Sequence, residues 1–301
     1  MLASLHHSKV DRIMTQTHRP LRSVLYIPGS KDRALDKARG LAADAIIFDL
    51  EDAVAPGEKE AARETLKAAL AQGGYGQRTL LVRINALDTD WALDDLASLT
   101  GVALDAVLLP KVADAAAVTA LSDAMDDAGI DASVAIWAMI ETPMGVLNAA
   151  EIGAHPRMAG FVLGTNDLAA DLQIAGGDRA AMMTALQLTV LAARATGVAC
   201  IDGVYNAFKD EAGLIAECTE GRGLGMDGKS LIHPAQLAPA NAVFAPDPEA
   251  LELARRQIEA FEAADTGVAV LDGKIVENLH VAAARRILAQ ADVIAAMEAE
   301  T

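Results

Sequence analysis

The sequence predicts a closed (β/α)8 barrel, a TIM barrel, with a C-terminal helical extension. Three observations carry this. Short aliphatic or β-branched runs alternate with longer Ala-rich stretches eight times, over about 220 residues. The runs are almost continuously apolar, the pattern of strands buried on both faces of a parallel sheet. The Gly-rich dinucleotide fingerprint of an open doubly wound sheet is missing after the first run, which continues as YIPGSKDRA.

The elements follow in order. SVLYI (23–27) is the first strand, with a helix near 31–42 after PGS. DAIIFDLE (44–51) precedes a helix near 57–72, and TLLVRIN (79–85) a short one around 91–99. DAVLLPK (105–111) leads to a helix near 113–129, and SVAIWAMIE (133–141) to one near 143–152. AGFVLG (159–164) runs through NDLAADL to a long helix around 178–196. GVACIDGV (197–204) precedes a helix near 208–220. GRGLGMDGKS (221–230) carries a weak eighth strand, and HPAQ marks a helix start.

APDPEA, with two prolines, marks a boundary near 245. Beyond it come an amphipathic helix over 248–264, a small hairpin in TGVAVLDGK (266–274) and a last helix over 280–299. The expected organisation is a flexible tail over 1–19, a catalytic barrel over 20–244 and a helical extension or lid over 245–301. An appendage this small should dock on the barrel or on a neighbouring subunit.

Of the 301 residues 52% are hydrophobic and 22% charged, which suits a large core and excludes wholesale disorder. Lys plus Arg number 25 against 42 Asp plus Glu, a net charge of −17. Such a chain is ill suited to nucleic acid or to anionic lipid. An anionic substrate would need local cations or a metal. Two cysteines, Cys200 and Cys218, are too few for a disulfide framework. No run of about 18 apolar residues predicts a membrane span. The first nineteen residues lack an apolar signal core, so a cytoplasmic location is expected.

In a (β/α)8 barrel, functional groups collect at the C-terminal ends of the strands. The second strand ends in Asp49, Glu51 and Asp52, the third in Arg83 and Asn85, the fourth in Lys111. The fifth ends in Glu141, the sixth in Asn166 and Asp167, the seventh in Asp202. Asp227, Lys229 and His233 surround the eighth. Glu141 and Asp167 follow adjacent apolar strands, and two carboxylates in one half-buried mouth resist joint ionisation without a cation between them. A hard divalent ion, Mg2+ by preference, fits; the alternative is that each acid pairs with an Arg or Lys for structure. Arg83 leaves an apolar strand as a planar fork suited to a substrate carboxylate, or forms an ion pair with Glu51 or Asp49. Lys111 belongs to the rim. Lys229 and Ser230, in GMDGKS, offer a weak phosphate-binding turn.

Taken together, RSVLYIPGS, FDLEDAV, LVRIN, LLPK, MIETPMGV, GTNDLAADL and GMDGKSLIHPAQ, in this order, resemble the citrate lyase β-subunit-like and malyl-CoA lyase family of the HpcH/HpaI aldolase superfamily. The likeness runs from about 20 to 240 and on into the C-terminal helices. It implies a Mg2+-dependent enzyme, with Mn2+ as a substitute, working as a trimer or hexamer. Such enzymes cleave 3-hydroxyacyl thioesters of coenzyme A or acyl carrier protein into a short acyl thioester and a 2-keto acid. Carried over, Glu141 and Asp167 are the metal ligands, and Arg83 holds the keto-acid carboxylate. Glu51 and Asp52 lie around metal and substrate. Arg22, Pro28 and the 229–234 segment, with Lys229 and His233, lie where the CoA arm enters. Glu277 stands where members place a C-terminal Asp over the neighbouring subunit's site, with Asp272 as the fallback. Carbon–carbon cleavage of a malyl- or citramalyl-type thioester is the first expectation. Hydrolysis of (3S)-malyl-CoA is the second, and a citryl-CoA lyase or accessory subunit role with acyl carrier protein the third.

Overall fold

The computed structural model describes residues 19–264 and 267–299. The tail expected over 1–19 therefore lies, Arg19 excepted, outside the described residues. Two compact units are resolved, Leu21–Phe244 and the residues after it.

The first unit is the barrel. Eight parallel strands close in chain order. They are β1 (Ser23–Pro28), β2 (Ala45–Asp49), β3 (Thr79–Arg83), β4 (Ala106–Leu109), β5 (Ala135–Ile140), β6 (Met158–Leu163), β7 (Ala199–Asp202) and β8 (Gly228–Leu231). β8 pairs back onto β1, matching Val24 with Ser230. The helices that follow the strands are α1 (Asp32–Ala38), α2 (Lys59–Gln72), α3 (Ala92–Ser98), α4 (Ala115–Asp127), α5 (Pro143–Leu147), α6 (Ala149–Gly153), α7 (Thr165–Asp171), α8 (Met183–Thr196), α9 (Glu211–Leu224) and α10 (Leu237–Phe244).

Alternation along the strands sorts side chains into two cores. Val24, Ala45, Ile47, Leu81, Ala106, Leu108, Trp137, Met139, Val162 and Ile201 fill the interior. The intervening residues, Leu25, Ile46, Phe48, Val82 and Phe161 among them, pack outward beneath the helices. The interior is thus a filled core. Continuing the inward parity to the C-terminal ends brings up Tyr26, Asp49, Arg83 and Glu141 as the next inward positions. The same parity puts Asp202 and Lys229, register partners in β7 and β8, on the outer face.

Three details depart from the sequence expectation. NDLAADL is itself helical, as α7. The helix expected over 143–152 breaks at Asn148, whose side-chain amide donates to Ala113 O (2.9 Å). The helix before the eighth strand runs on through GRGL to Leu224, ending where Gly225 takes φ 95°. Only four residues remain for β8, and their amides belong to the sheet; Lys229 N donates to Arg22 O (3.2 Å).

The second unit contains α11 (Pro248–Glu262), the antiparallel hairpin β9 (Ala269–Leu271) and β10 (Lys274–Val276), and α12 (Asn278–Ala299). Asp272 and Gly273 turn the hairpin with φ of 50° and 75°, the left-handed pair that a tight two-residue hairpin requires. Ala269, Val276 and Val281 form its small core, with Ile258 and Phe261 packed against it. Among the described residues no helix is long and apolar enough to cross a membrane.

Candidate active site

The C-terminal ends of the strands open into a cleft of about 410 Å³. Its walls include Tyr26, Pro28, Asp49, Asp52, Arg83, Met139, Glu141, Asn166, Asp167, Asn206 and Ile232. Residues from β1, β2, β3, β5 and the segments after β6, β7 and β8 thus meet at one mouth.

Glu141 follows Ile140, the last residue of β5, and is buried. Two neighbours aim its carboxylate. Lys111 N donates to Oε1 at 2.7 Å, from a residue held at φ 54°. A non-glycine side chain in that region is strained, and the strain turns this amide toward the acid. Oε2 lies where a Cβ on Gly164 would stand, at 2.3 Å, so the glycine makes room for the carboxylate. Burial first, then the nearby charges of Asp167 and Glu51, push Glu141 up from 4.5 to about 7, against the Lys111 amide and Arg83. Asp167, in the first turn of α7, is exposed and lines the same cleft.

Arg83 ends β3 opposite Asp49 on β2. Nε and Nη2 donate to the two Asp49 oxygens at 2.8 and 2.6 Å. Nη1 lies 3.0 Å from Glu51 Oε2. Asp49 also accepts from Glu51 N (2.9 Å) and Ala53 N (3.0 Å), so one carboxylate fixes both the guanidinium and the loop after β2. The ion pair considered for Arg83 is therefore present, and its two-pronged edge faces Asp49. Nη1 is the corner directed away from that pairing. Glu51 is buried behind Arg83, and burial raises its carboxyl against the pull of Arg83. Asp52, rather than Glu51, stands on the cleft wall.

Lys59, which the sequence did not single out, supports this loop from below. Buried at the start of α2, its Nζ donates to Leu50 O (2.8 Å), Glu51 O (2.7 Å) and Asn85 Oδ1 (2.7 Å). Asn85, expected at the mouth, is buried in the same network, donating to Asp95 and Leu50 O. A Lys in an amphipathic helix gives no sign of this role; its bond to Asn85, 26 residues away, forms only once the segment after β3 lies beside that after β2.

Several expected site residues lie elsewhere. Arg22 precedes β1, at the opposite end of the barrel from the mouth, and is buried; Nε and Nη2 donate to the two Asp44 oxygens at 2.9 Å each. It closes the lower end of the barrel and is not placed to meet a CoA arm. Lys229 is fully buried on the outer face, with Nζ donating to Asp202 Oδ2 (3.0 Å), Gly203 O (2.6 Å) and Glu217 Oε1 (2.7 Å). Arg179 completes the cluster with two bonds to Asp202. Strand parity excludes Lys229 and Asp202 from the mouth. His233 is exposed after β8, its Nδ1 accepting from Ala235 N (3.1 Å) and its ring stacked 4.6 Å from Phe208. Pro28 lines the cleft. Glu277 is exposed in the second unit, where its amide donates to His280 Nδ1 (3.1 Å). Asp272 is paired there with Arg256 at 2.7 Å.

No cluster of three or more His, Cys, Asp or Glu fit to hold a metal occurs among the described residues. The donor set at the mouth is two carboxylates, one preoriented and one open. That set suits a hard cation that keeps waters and takes substrate oxygens. The Gly164 cradle for Oε2 and the raised Glu141 carboxyl are consistent with a site that gains from a positive charge.

Residues 22–234 match the HpcH/HpaI aldolase/citrate lyase family. A protein named (3S)-malyl-CoA thioesterase from Cereibacter sphaeroides is 58% identical over 288 residues, 94% of this chain and 99% of that one. A citrate lyase subunit beta from Leuconostoc mesenteroides subsp. cremoris is 35% identical over 277 residues, 89% of this chain and 92% of that one. Among solved structures, CitE from Mycobacterium tuberculosis, in complex with magnesium, acetoacetate and coenzyme A, superposes with a TM-score of 0.73 at 30% identity, covering 92% of this chain and all of that one.

Proposed function

Since the chain belongs to the HpcH/HpaI aldolase/citrate lyase family, we propose that it hydrolyses the thioester of a malyl-type 3-hydroxyacyl-CoA. The observation that carries this is the 58% identity, along 94% of the chain, to a (3S)-malyl-CoA thioesterase, against 35% to a citrate lyase β subunit. Carbon–carbon cleavage of the same substrate becomes the second reading. Both reactions need a seat for the acyl carboxylate and a cation beside the thioester.

Glu141 and Asp167 would hold Mg2+, the ion present in the Mycobacterium tuberculosis relative. When bound, it supplies Lewis-acid polarisation of a substrate oxygen. Lys111 N and Gly164 keep Glu141 aimed into the cleft. Arg83, braced by Asp49, binds the carboxylate of the acyl group. Asp52 on the wall, with the buried Glu51 beside it, takes a proton from the attacking water and returns it to the departing thiolate of CoA. Water is the nucleophile: Cys200 and Cys218 are buried outside the cleft, and burial raises their thiols to about 12 and about 11. In the second reading the thioester enolate is protonated instead, and Glu277, set over a neighbouring subunit's site, is proposed as that acid. Both readings place the chain in a homo-oligomer and its substrate on CoA.

The purified protein with (3S)-malyl-CoA and Mg2+ decides. Malate and free CoA are the expected products. Glyoxylate and acetyl-CoA would establish cleavage, and turnover on carrier-protein thioesters alone would establish the citrate-lyase-type role.

A further inference from the structure

Two hydrogen-bond donors converge on one sulfur at the base of the cleft. The Tyr26 hydroxyl, on β1, points at Met139 Sδ from 3.7 Å. Arg83 Nη1 points at the same atom from 3.5 Å. A thioether is a weak acceptor, and the half-buried phenol has an oxygen acceptor within reach only if one enters the cleft. Both donors and the sulfur line the cleft. The Arg83 guanidinium also lies over the Tyr26 ring, 5.0 Å from its centroid, so hydroxyl and N–H are held as one unit. Burial keeps the phenol protonated well above its ordinary range, against the pull of Arg83. Tyr26 stands one strand step above the interior layer that Val24 occupies.

An anionic oxygen entering between these two donors gives the phenol a strong acceptor in place of a poor one, and shares Arg83 Nη1 with Glu51 Oε2, 3.0 Å from it. In a malyl-type thioester the acyl carboxylate is the group of matching charge. We propose that Tyr26 is a specificity-determining hydrogen-bond donor which, with Arg83 Nη1, seats the substrate's acyl carboxylate in the place of Met139 Sδ. This rests on the reading that a carboxylate-bearing acyl thioester occupies the cleft, and it adds to Arg83 a second contact that selects dicarboxylic over neutral acyl groups.

Tyr26→Phe keeps the ring on Arg83 and removes only the donor. Calorimetric titration with L-malate in Mg2+ buffer is expected to show affinity falling about 10- to 100-fold, the scale of a hydrogen bond to a charged group, with affinity for free CoA unchanged. With malyl-CoA, KM should rise by a similar factor while kcat stays within about twofold. Unchanged malate affinity, an equal loss for malate and CoA, or failure of malate to bind the parent protein overturns the proposal. A fall in kcat at constant KM also overturns it, by moving the hydroxyl to the thioester oxygen. Met139→Leu retains bulk without the sulfur and should bind malate at least as tightly; a tenfold loss there would make the effect one of packing. That second variant decides the matter if Tyr26→Phe does not fold. If the parent protein leaves malyl-CoA unhydrolysed, the hydrolase reading fails while the malate titration still tests the seat.

Discussion

At the scale of single residues, the mouth depends on groups that aim other groups. Arg83 is fixed by two bonds to Asp49 before any substrate arrives. Arg83→Lys keeps the charge but loses the planar fork, so one ammonium must serve Asp49, Glu51 and substrate. KM for malyl-CoA should rise at least about tenfold, and the melting transition should fall by the equivalent of about 1–3 kcal/mol. Steady-state kinetics and thermal melts check this, and an unchanged KM removes Arg83 from the substrate. Glu141→Gln retains the shape and the Lys111 bond but removes a charge. Turnover should drop about a hundredfold or more and lose its response to Mg2+. A variant with parent kinetics in chelator-treated buffer would end the metal assignment. Glu141 and Arg83 were recognisable in sequence because each breaks an apolar run at a strand end. Lys111 bore the same mark but acts through its backbone amide; Gly164 and Lys59 carry no mark, since they act through a missing Cβ and a buried amine.

At the scale of elements, register decides which strand-end residue faces the mouth. β5 and β6 slip by one residue between Ile136 and Trp137, so Trp137 comes opposite Gly160. A Cβ on Gly160 would meet the Trp137 ring at 2.5 Å. Gly160→Ala is therefore expected to cost about 1–3 kcal/mol by overpacking the barrel interior, read from denaturant unfolding. A neutral result would mean the ring has room to move. Parity likewise turns Asp202 and Lys229 outward, although Asp202 ends β7. Lys229→Met leaves Asp202 and Glu217 without one of their cations in a buried cluster, a loss of about 3–5 kcal/mol. Its KM for a CoA thioester should stay near the parent value if the fold survives. A large rise in KM with unchanged stability would return Lys229 to the CoA site.

At the scale of the whole molecule, the barrel gathers acids that a net charge of −17 already disfavours. Glu141 is raised to about 7, chiefly by burial, and Glu51 moves the same way. The folded chain therefore holds these protons more tightly than the unfolded chain does. The stabilisation from the protonated forms is complete below about pH 4 and is lost as the pH rises through about 7. Melts of the metal-free protein should show this contribution declining between about pH 5 and 8. Mg2+ should restore more stability at pH 8 than at pH 5.5, because it binds the ionised carboxylates. An equal Mg2+ effect at both values would separate the ion from Glu141.

Composition and periodicity determined the architecture: eight buried apolar runs with helical stretches between them have few other ways to hide both faces of each strand. Order along the chain also brought Glu141 and Asp167 to neighbouring strands, because consecutive units of this barrel are neighbours in space. Three matters waited for the closed structure. Inward or outward facing at the rim depends on register to a single residue, which a slip in β6 or a shortened β8 alters without changing composition. The support of the mouth by Asp49 and Lys59 depends on contacts between chain segments far apart in sequence. The meeting of Tyr26, Arg83 and Met139 on one sulfur exists only when β1, β3 and β5 curve around a common axis.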